Sequence, residues 1–177
     1  AQNTYGLLDN LLTWANAEQD NLSYNEERID VHEVSREIIK QFKLSAEQKK
    51  IEISHSVPAN TFVLGDYQML HTIIRNLVSN AIKFTPAQGK IRIYAENKGN
   101  GNIDICVSDS GKGIDEATRL KILNREFLSS KRGTQNEKGS GLGLVIVRDF
   151  ISLHNSTLNI SSTPGNGTKF SFSLLEA

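Results

Sequence analysis

Residues Asp66 to Ile114 read DYQMLHTIIRNLVSNAIKFTPAQGKIRIYAENKGNGNIDICVSDSGKGI, and the hydrophobic period changes within them. Leu70, Ile73, Ile74, Leu77 and Ala81 recur three or four residues apart, the stripe of an amphipathic helix from about Asp66 to Ile82. Pro86 and Gly89 end it, since proline cannot continue a helix and glycine favours a turn. Lys90 to Glu96 and Ile103 to Ser108 then alternate as strands around a connection, Asn97 to Asn102, rich in Gly and Asn, so the pair is expected as an antiparallel hairpin. Ile103, Ile105 and Val107 share one face of it, toward the core.

Working outward, Asp30 with Glu33 three residues on is a helix start, and Val34, Ile38, Ile39 and Phe42 carry the helix forward. Ile51 to Val57 alternates as a strand, and a short extended piece, Thr61 to Leu64, follows Pro58. Beyond the hairpin a short helix near Glu116 to Ile122 leads into Ser129 to Gly139, a polar, glycine-bearing stretch without hydrophobic period that reads as a loop. Gly141 to His154 returns to a helix, and Thr157 to Ser162 with Thr168 to Leu175 forms a last hairpin around PGNG. At the other end Leu7, Leu8, Leu11, Leu12, Trp14 and Ala15 predict an amphipathic helix that fades in Glu18 to Arg28. Its stripe of Leu7, Leu11 and Trp14 calls for self-association or docking. The expected fold class is α/β, or α+β: a two-layer sandwich with a mixed, mainly antiparallel sheet and helices on one face, preceded by an N-terminal helix.

With 177 residues and 38% hydrophobic composition the chain can bury one sizeable core with an appendage. Lys+Arg and Asp+Glu both number 20, so no overall field draws nucleic acid, and no basic block interleaved with aromatics suggests a groove for it. An anionic ligand must be held locally. The single cysteine, Cys106, lies in an apolar alternating run and fits a small core residue in a reducing compartment. The sequence has no signal-peptide pattern and no apolar run long enough to span a bilayer, so no direct membrane contact is expected.

Three short segments carry candidate chemistry. On the Asp66 helix Asn76, Asn80 and Lys83 fall together on a flank of the apolar stripe. A carboxamide oxygen suits Mg²⁺, which takes hard oxygen ligands and keeps waters besides, and an ammonium suits phosphate; the same three residues would also serve as a solvated polar flank. In DSGKGI, Asp109 ends a strand where its carboxylate can accept from an exocyclic amine such as that of adenine. Gly111 and Gly113 allow positive φ and close approach to a planar base, although Asp-Ser-Gly is also an ordinary turn. In GSGLGL the glycines precede a helix, where free N–H groups and the positive helix end suit phosphates; a glycine-rich helix start is the plainer alternative. Neither a dinucleotide-binding fingerprint nor a Walker-type loop is present.

In this order and spacing the segments resemble the catalytic and ATP-binding domain of sensor histidine kinases, in the wider group that also holds gyrase-type topoisomerases, the Hsp90 chaperone and MutL. The resemblance runs from roughly Asp30 to the C-terminus: NLVSNAIKFT resembles the N box, DSGKGI the G1 box and EKGSGLGL the G2 box. It implies a Bergerat-type ATP-binding fold with ATP and Mg²⁺ as ligands. Asn80 would hold Mg²⁺, Asp109 would recognise adenine, and Lys83 would contact phosphate. Gly139, Gly141 and Gly143 would border the triphosphate, with Ser140, Leu142 and Leu144 beside them. Gly111 and Gly113 would let the backbone approach the base, and Phe84 and Ile114 would belong to the ATP site. Ser129 to Lys138 resembles the ATP lid, from which Lys131 or Arg132 would reach phosphate, with Lys138 also in the ATP site. Phe127 stands where an F box is expected, although NREFLSS departs from its fuller aromatic pattern.

Hydrolysing relatives carry a glutamate at the position of Asn76, where a carboxylate activates water. An amide takes no proton at neutral pH, so Asn76, with Lys83, favours phosphoryl transfer to a protein side chain. An ATP-hydrolysing switch of the chaperone or topoisomerase type, and an interaction module without transfer, are the alternative readings. His32, His55, His71 and His154 all stand in ordinary structural places, which puts the acceptor histidine before Ala1. Residues 1–28 then read as the end of the second dimerisation-domain helix plus a linker, and residues 29–177 as the catalytic domain. The implied partners are that dimerisation and histidine phosphotransfer domain, a second copy in a full-length homodimer, and a response regulator receiver domain. The implied setting is the cytoplasmic side of a membrane-bound bacterial sensor.

Overall fold

The structure, a computed structural model, describes residues 23–124, 133–135 and 141–177. The helix expected around Leu7 to Ala15 lies outside the described residues. In chain order the elements are β1 (Glu27–Asp30), α1 (Val31–Gln48), β2 (Glu52–Ser56), β3 (Phe62–Gly65), α2 (Tyr67–Phe84), β4 (Lys90–Asn97), β5 (Asn102–Asp109), α3 (Glu116–Leu123), α4 (Gly143–Leu153), β6 (Asn159–Ser162) and β7 (Thr168–Leu175).

The helices begin where their caps stand. Asp30 Oδ1 accepts from the N–H of His32 at 2.9 Å and of Glu33 at 3.3 Å, which starts α1. Asp66 starts α2 by accepting from Met69 N–H at 3.0 Å, and its second oxygen accepts from Asn25 N–H at 3.0 Å. α1 ends in a Schellman motif: Lys50 takes φ 55°, its N–H donates to Glu47 O at 3.0 Å, and Ile51 N–H donates to Ala46 O at 2.8 Å. α2 runs on to Phe84, because Thr85 turns extended ahead of Pro86. α4 starts at Gly143, two residues later than the sequence implies, because Gly141 sits at φ 78°.

The main sheet has the order β2-β4-β5-β7-β6, with β2 parallel to β4 and every other pair antiparallel. Register aligns Ile93 with Val107 and Val107 with Phe170, then Ala95 with Ile105 and Ile105 with Phe172. One face is therefore an apolar layer of Ile91, Ile93, Ile103, Ile105, Val107, Phe170, Phe172 and Leu174, all buried with the stripe of α2 in one core. Leu70, Ile73, Ile74, Leu77 and Val78 of α2 are fully buried, each stabilising by roughly 1.5–3 kcal/mol. The opposite face carries Arg92 and, in register across three strands, Tyr94, Cys106 and Ser171. There, burial and the Cys106 thiol beside it push the Tyr94 hydroxyl up to about 12. A mixed sheet with helices on its apolar face is the expected architecture. The sequence reading lacks one element, β1, which pairs antiparallel with β3 in a separate small sheet that brings Ile29 opposite Val63.

Two histidines make stability sensitive to acid. The His55 ring meets His32 edge-on at 4.6 Å between centroids, and His55 Nε2 is buried without a hydrogen-bond partner. Burial, then His32 and Arg36, lower its pKa below 6.5; burial and Arg75 do the same for His71. A folded pKa below the unfolded one gives stability that is present above 6.5 and is lost as pH falls from there through the folded values. The thermal midpoint is expected to drop in that window, and His55→Phe, which keeps a ring, should flatten the drop. An unchanged slope in scanning calorimetry would remove His55 as its source.

Candidate functional site

The site lies where the end of β5 meets the end of α2. Along β5, Asp109 shares a face with Ile103, Ile105 and Val107, and it aligns with Ile91 on one side and Thr168 on the other. The carboxylate therefore continues the row of core-facing side chains, and burial raises its pKa above 3.8, while backbone N–H donation from Gly111 and Thr168 works the other way. The Gly111 N–H lies 2.7 Å from Oδ1. Such a group is a half-buried acceptor at a strand end, suited to a polar donor on an otherwise apolar ligand.

The DSGKGI loop is held from two sides. A Cβ on Gly111 would stand 2.6 Å from both Asp109 Oδ1 and the Phe84 carbonyl oxygen, and one on Gly113, at φ 69°, would run into the Thr163 carbonyl. Lys112 N–H donates to Phe84 O at 3.3 Å, and Gly165 N–H donates to Lys112 O at 2.8 Å. Ile114 N–H donates to Ser162 Oγ at 2.8 Å, and that hydroxyl donates to Gly167 O at 2.7 Å. Through these bonds the loop is seated on the end of α2 and on the β6–β7 turn.

On α2, Asn76 is buried and donates from Nδ2 to Thr72 O at 2.9 Å. Its Oδ1 lies 2.9 Å from where a Cβ of Gly143 would stand, so the first and third motifs touch through a position that has no room for a side chain. Asn80 and Lys83 follow, each half-buried. The Lys83 and Lys112 ammonium groups lie 4.9 and 4.8 Å from the centre of the Phe84 ring. α4 begins beyond Gly141 with Leu142 as its N-cap and no side-chain capping bond, so its first-turn N–H groups point out of the helix as an anion requires. Ile114 and Leu144 pack half-buried against the core.

The structure thus brings Asp109, Gly111, Gly113 and Phe84 together, and Asn76 together with Gly143. Phe127, Lys131, Arg132, Lys138, Gly139 and Ser140 lie outside the described residues. Thr168 escapes a sequence reading because it acts through its backbone N–H. The histidines serve structural ends: His154 accepts from Asp66 N–H at 3.0 Å and meets Phe150 O at 2.7 Å, and His71 stacks on Tyr67.

A family model described as histidine kinase-, DNA gyrase B- and HSP90-like ATPase matches residues 65–177. The sensor histidine kinase TmoS of Ectopseudomonas mendocina is 38% identical over 168 residues, 95% of this chain and 17% of that protein. The sensor-like histidine kinase SenX3 of Mycobacterium bovis is 36% identical over 146 residues, 82% of this chain and 35% of that protein. The chain thus spans from about a sixth to about a third of these two relatives. Among solved structures, the catalytic domain of histidine kinase ThkA superposes with a TM-score of 0.74 at 27% identity, over 88% of this chain and 97% of that one. Full-length ShkA in complex with AMPPNP gives 0.81 at 25% identity, over 97% of this chain and 35% of that one. Fold, motifs and matched residues agree: the chain belongs to the histidine kinase-, DNA gyrase B- and HSP90-like ATPase family, as an ATP-binding catalytic domain of the histidine kinase type.

Proposed function

We propose that this chain binds ATP with Mg²⁺ and donates the γ-phosphate to a histidine on a dimerisation domain, for relay to the receiver domain of a response regulator. The observation that carries the proposal is the half-buried carboxylate of Asp109 at the end of β5, beside a glycine loop seated on the end of the helix that carries Asn80 and Lys83. Asp109 accepts from the exocyclic amine of adenine, which guanine lacks at that position. Gly111 and Gly113 let the backbone approach the base, and Phe84 and Ile114 border it. Lys83 meets phosphate, while the outward N–H groups at the start of α4, with Gly141, Leu142, Gly143 and Leu144 around them, border the triphosphate. Lys131, Arg132, Lys138, Gly139, Ser140 and Phe127 complete the set by resemblance.

Among the described residues no group of three His, Cys, Asp or Glu side chains could cage a cation. A single carboxamide oxygen, that of Asn80, fits an ion that takes its remaining ligands from phosphate and water. When bound, Mg²⁺ supplies neutralisation of charge on the phosphate oxygens. Asn76, whose amide donates to the Thr72 carbonyl, has no basic site for activating water, and this favours transfer over hydrolysis.

Residues 1–28 are read as the end of the second dimerisation helix plus linker, its last two residues, Glu27 and Arg28, beginning β1, and residues 29–177 as the catalytic domain. The parent protein is then a homodimeric, membrane-bound bacterial sensor with this domain in the cytoplasm. Among the described residues no helix is long and apolar enough to cross a membrane.

Mixing the chain with the histidine-bearing domain of its parent protein and γ-labelled ATP should label that domain at histidine. Brisk release of free phosphate without an acceptor would instead mark a hydrolysing switch. Asn80→Ala is expected to abolish the gain in ATP affinity on adding Mg²⁺, about tenfold for one lost charge-assisted ligand, and to leave the unfolding midpoint unchanged. An unaltered Mg²⁺ titration would take Asn80 off the metal.

A further inference from the structure

The last turn of α2 leaves carbonyl groups that the helix itself cannot satisfy. Ala81 O is taken by Thr85 N–H at 3.0 Å and Phe84 O by Lys112 N–H. The two between them are served from outside. Lys49, 4% exposed as a residue, donates through its ammonium to Ile82 O at 2.7 Å and to Lys83 O at 3.0 Å. Lys83 O also receives Thr134 N–H at 3.0 Å and the Thr134 hydroxyl at 3.3 Å, and the same hydroxyl lies 3.1 Å from Thr85 O.

A lysine ammonium is costly to bury unless its donors are used, and a position at the C-terminal end of a helix favours the positive charge. Its base is rigid. Lys49 caps the Schellman turn of α1, Gln88 N–H donates to Lys50 O at 2.9 Å, and Glu52 N–H donates to Gly89 O at 3.0 Å. The ammonium thus reaches α2 from a turn already bonded to the chain that follows α2.

We infer that Lys49 and Thr134 are positioning residues for the phosphate half of the nucleotide site, acting together through the Lys83 carbonyl. Their effect is to fix the backbone of the residue whose side chain meets phosphate, and it rests on the ATP-binding reading above. The base half depends on Asp109 and the glycine loop, which reach α2 through Phe84 O instead. Loss of either donor should therefore divide the two halves.

The test uses the 177-residue chain and two probes, AMPPNP with Mg²⁺ and adenosine. Lys49→Met, of similar length without donors, and Thr134→Val, isosteric at a more exposed position, should each weaken AMPPNP about tenfold, as expected for one lost charged or shared hydrogen bond, while adenosine affinity holds within about twofold. Lys49→Arg, which keeps a donor, should recover part of the AMPPNP loss. Equal loss of both probes, or a folded variant with unchanged AMPPNP affinity, would overturn the inference. Should Lys49→Met fail to fold, Thr134→Val decides by the same criterion. Wild-type chain that binds neither probe would sink the ATP-binding reading itself, and this inference with it.

Discussion

Asp109→Asn should lower affinity for ATP on the order of 100-fold, by removing a charged acceptor worth about 1.5–3 kcal/mol and presenting an amide donor to the adenine amine. The unliganded fold should be as stable as wild type or more so. Burial raises the Asp109 pKa above 3.8, against the pull of the Gly111 and Thr168 N–H groups. A raised folded pKa stabilises fully below the unfolded value, and that contribution is lost as pH rises through the folded value. At neutral pH the ionised carboxylate is therefore a cost to the empty fold, one that a neutral carboxamide relieves while its oxygen still accepts from Gly111. Paired binding and urea-unfolding curves check both halves. A variant that binds normally, or one destabilised to the point of unfolding, would contradict the role given to this carboxylate.

Gly113→Ala should be the most damaging single methyl in the glycine loop. Gly113 and Gly101 have similar φ, 69° and 76°, but nothing lies within 4 Å of a Cβ at Gly101, whereas one at Gly113 meets the Thr163 carbonyl. Gly101→Ala then costs the left-handed backbone alone, about 1 kcal/mol. Gly113→Ala adds overpacking against backbone of about 1–3 kcal/mol, and it pushes the loop away from the turn to which Lys112 and Ile114 are bonded. Nucleotide affinity should fall with stability in Gly113→Ala and hold in Gly101→Ala. Equal urea midpoints for the two variants would show that the β6–β7 turn gives way and does not clamp the loop.

What could be read from the sequence follows the range of the interactions concerned. The stripe of α2, the β4–β5 hairpin, the Asp30 cap and the DSGKGI turn are local patterns within one element or between neighbours, and the structure has them within a residue or two. β1 was not legible, because ERID is four residues long and its strand character comes from pairing with β3, more than thirty positions on. The parallel pairing of β2 with β4 is likewise a matter of tertiary placement. In the site, Asp109 and the glycines announce themselves by type and spacing. The contact of Asn76 with Gly143 does not, since it depends on how α4 crosses α2. Lys49 and Thr134 were invisible for another reason: a lysine ending a polar helix and a threonine in a polar stretch ordinarily face water, and only the unmet carbonyl groups of α2 give them work.

The central claim is that these elements converge on a working Mg-ATP site. Calorimetric titration of the chain with AMPPNP, with and without Mg²⁺, tests it most directly. Saturable binding of one nucleotide per chain, strengthened by Mg²⁺, is the predicted result, and absence of saturable binding with Mg²⁺ present would contradict it.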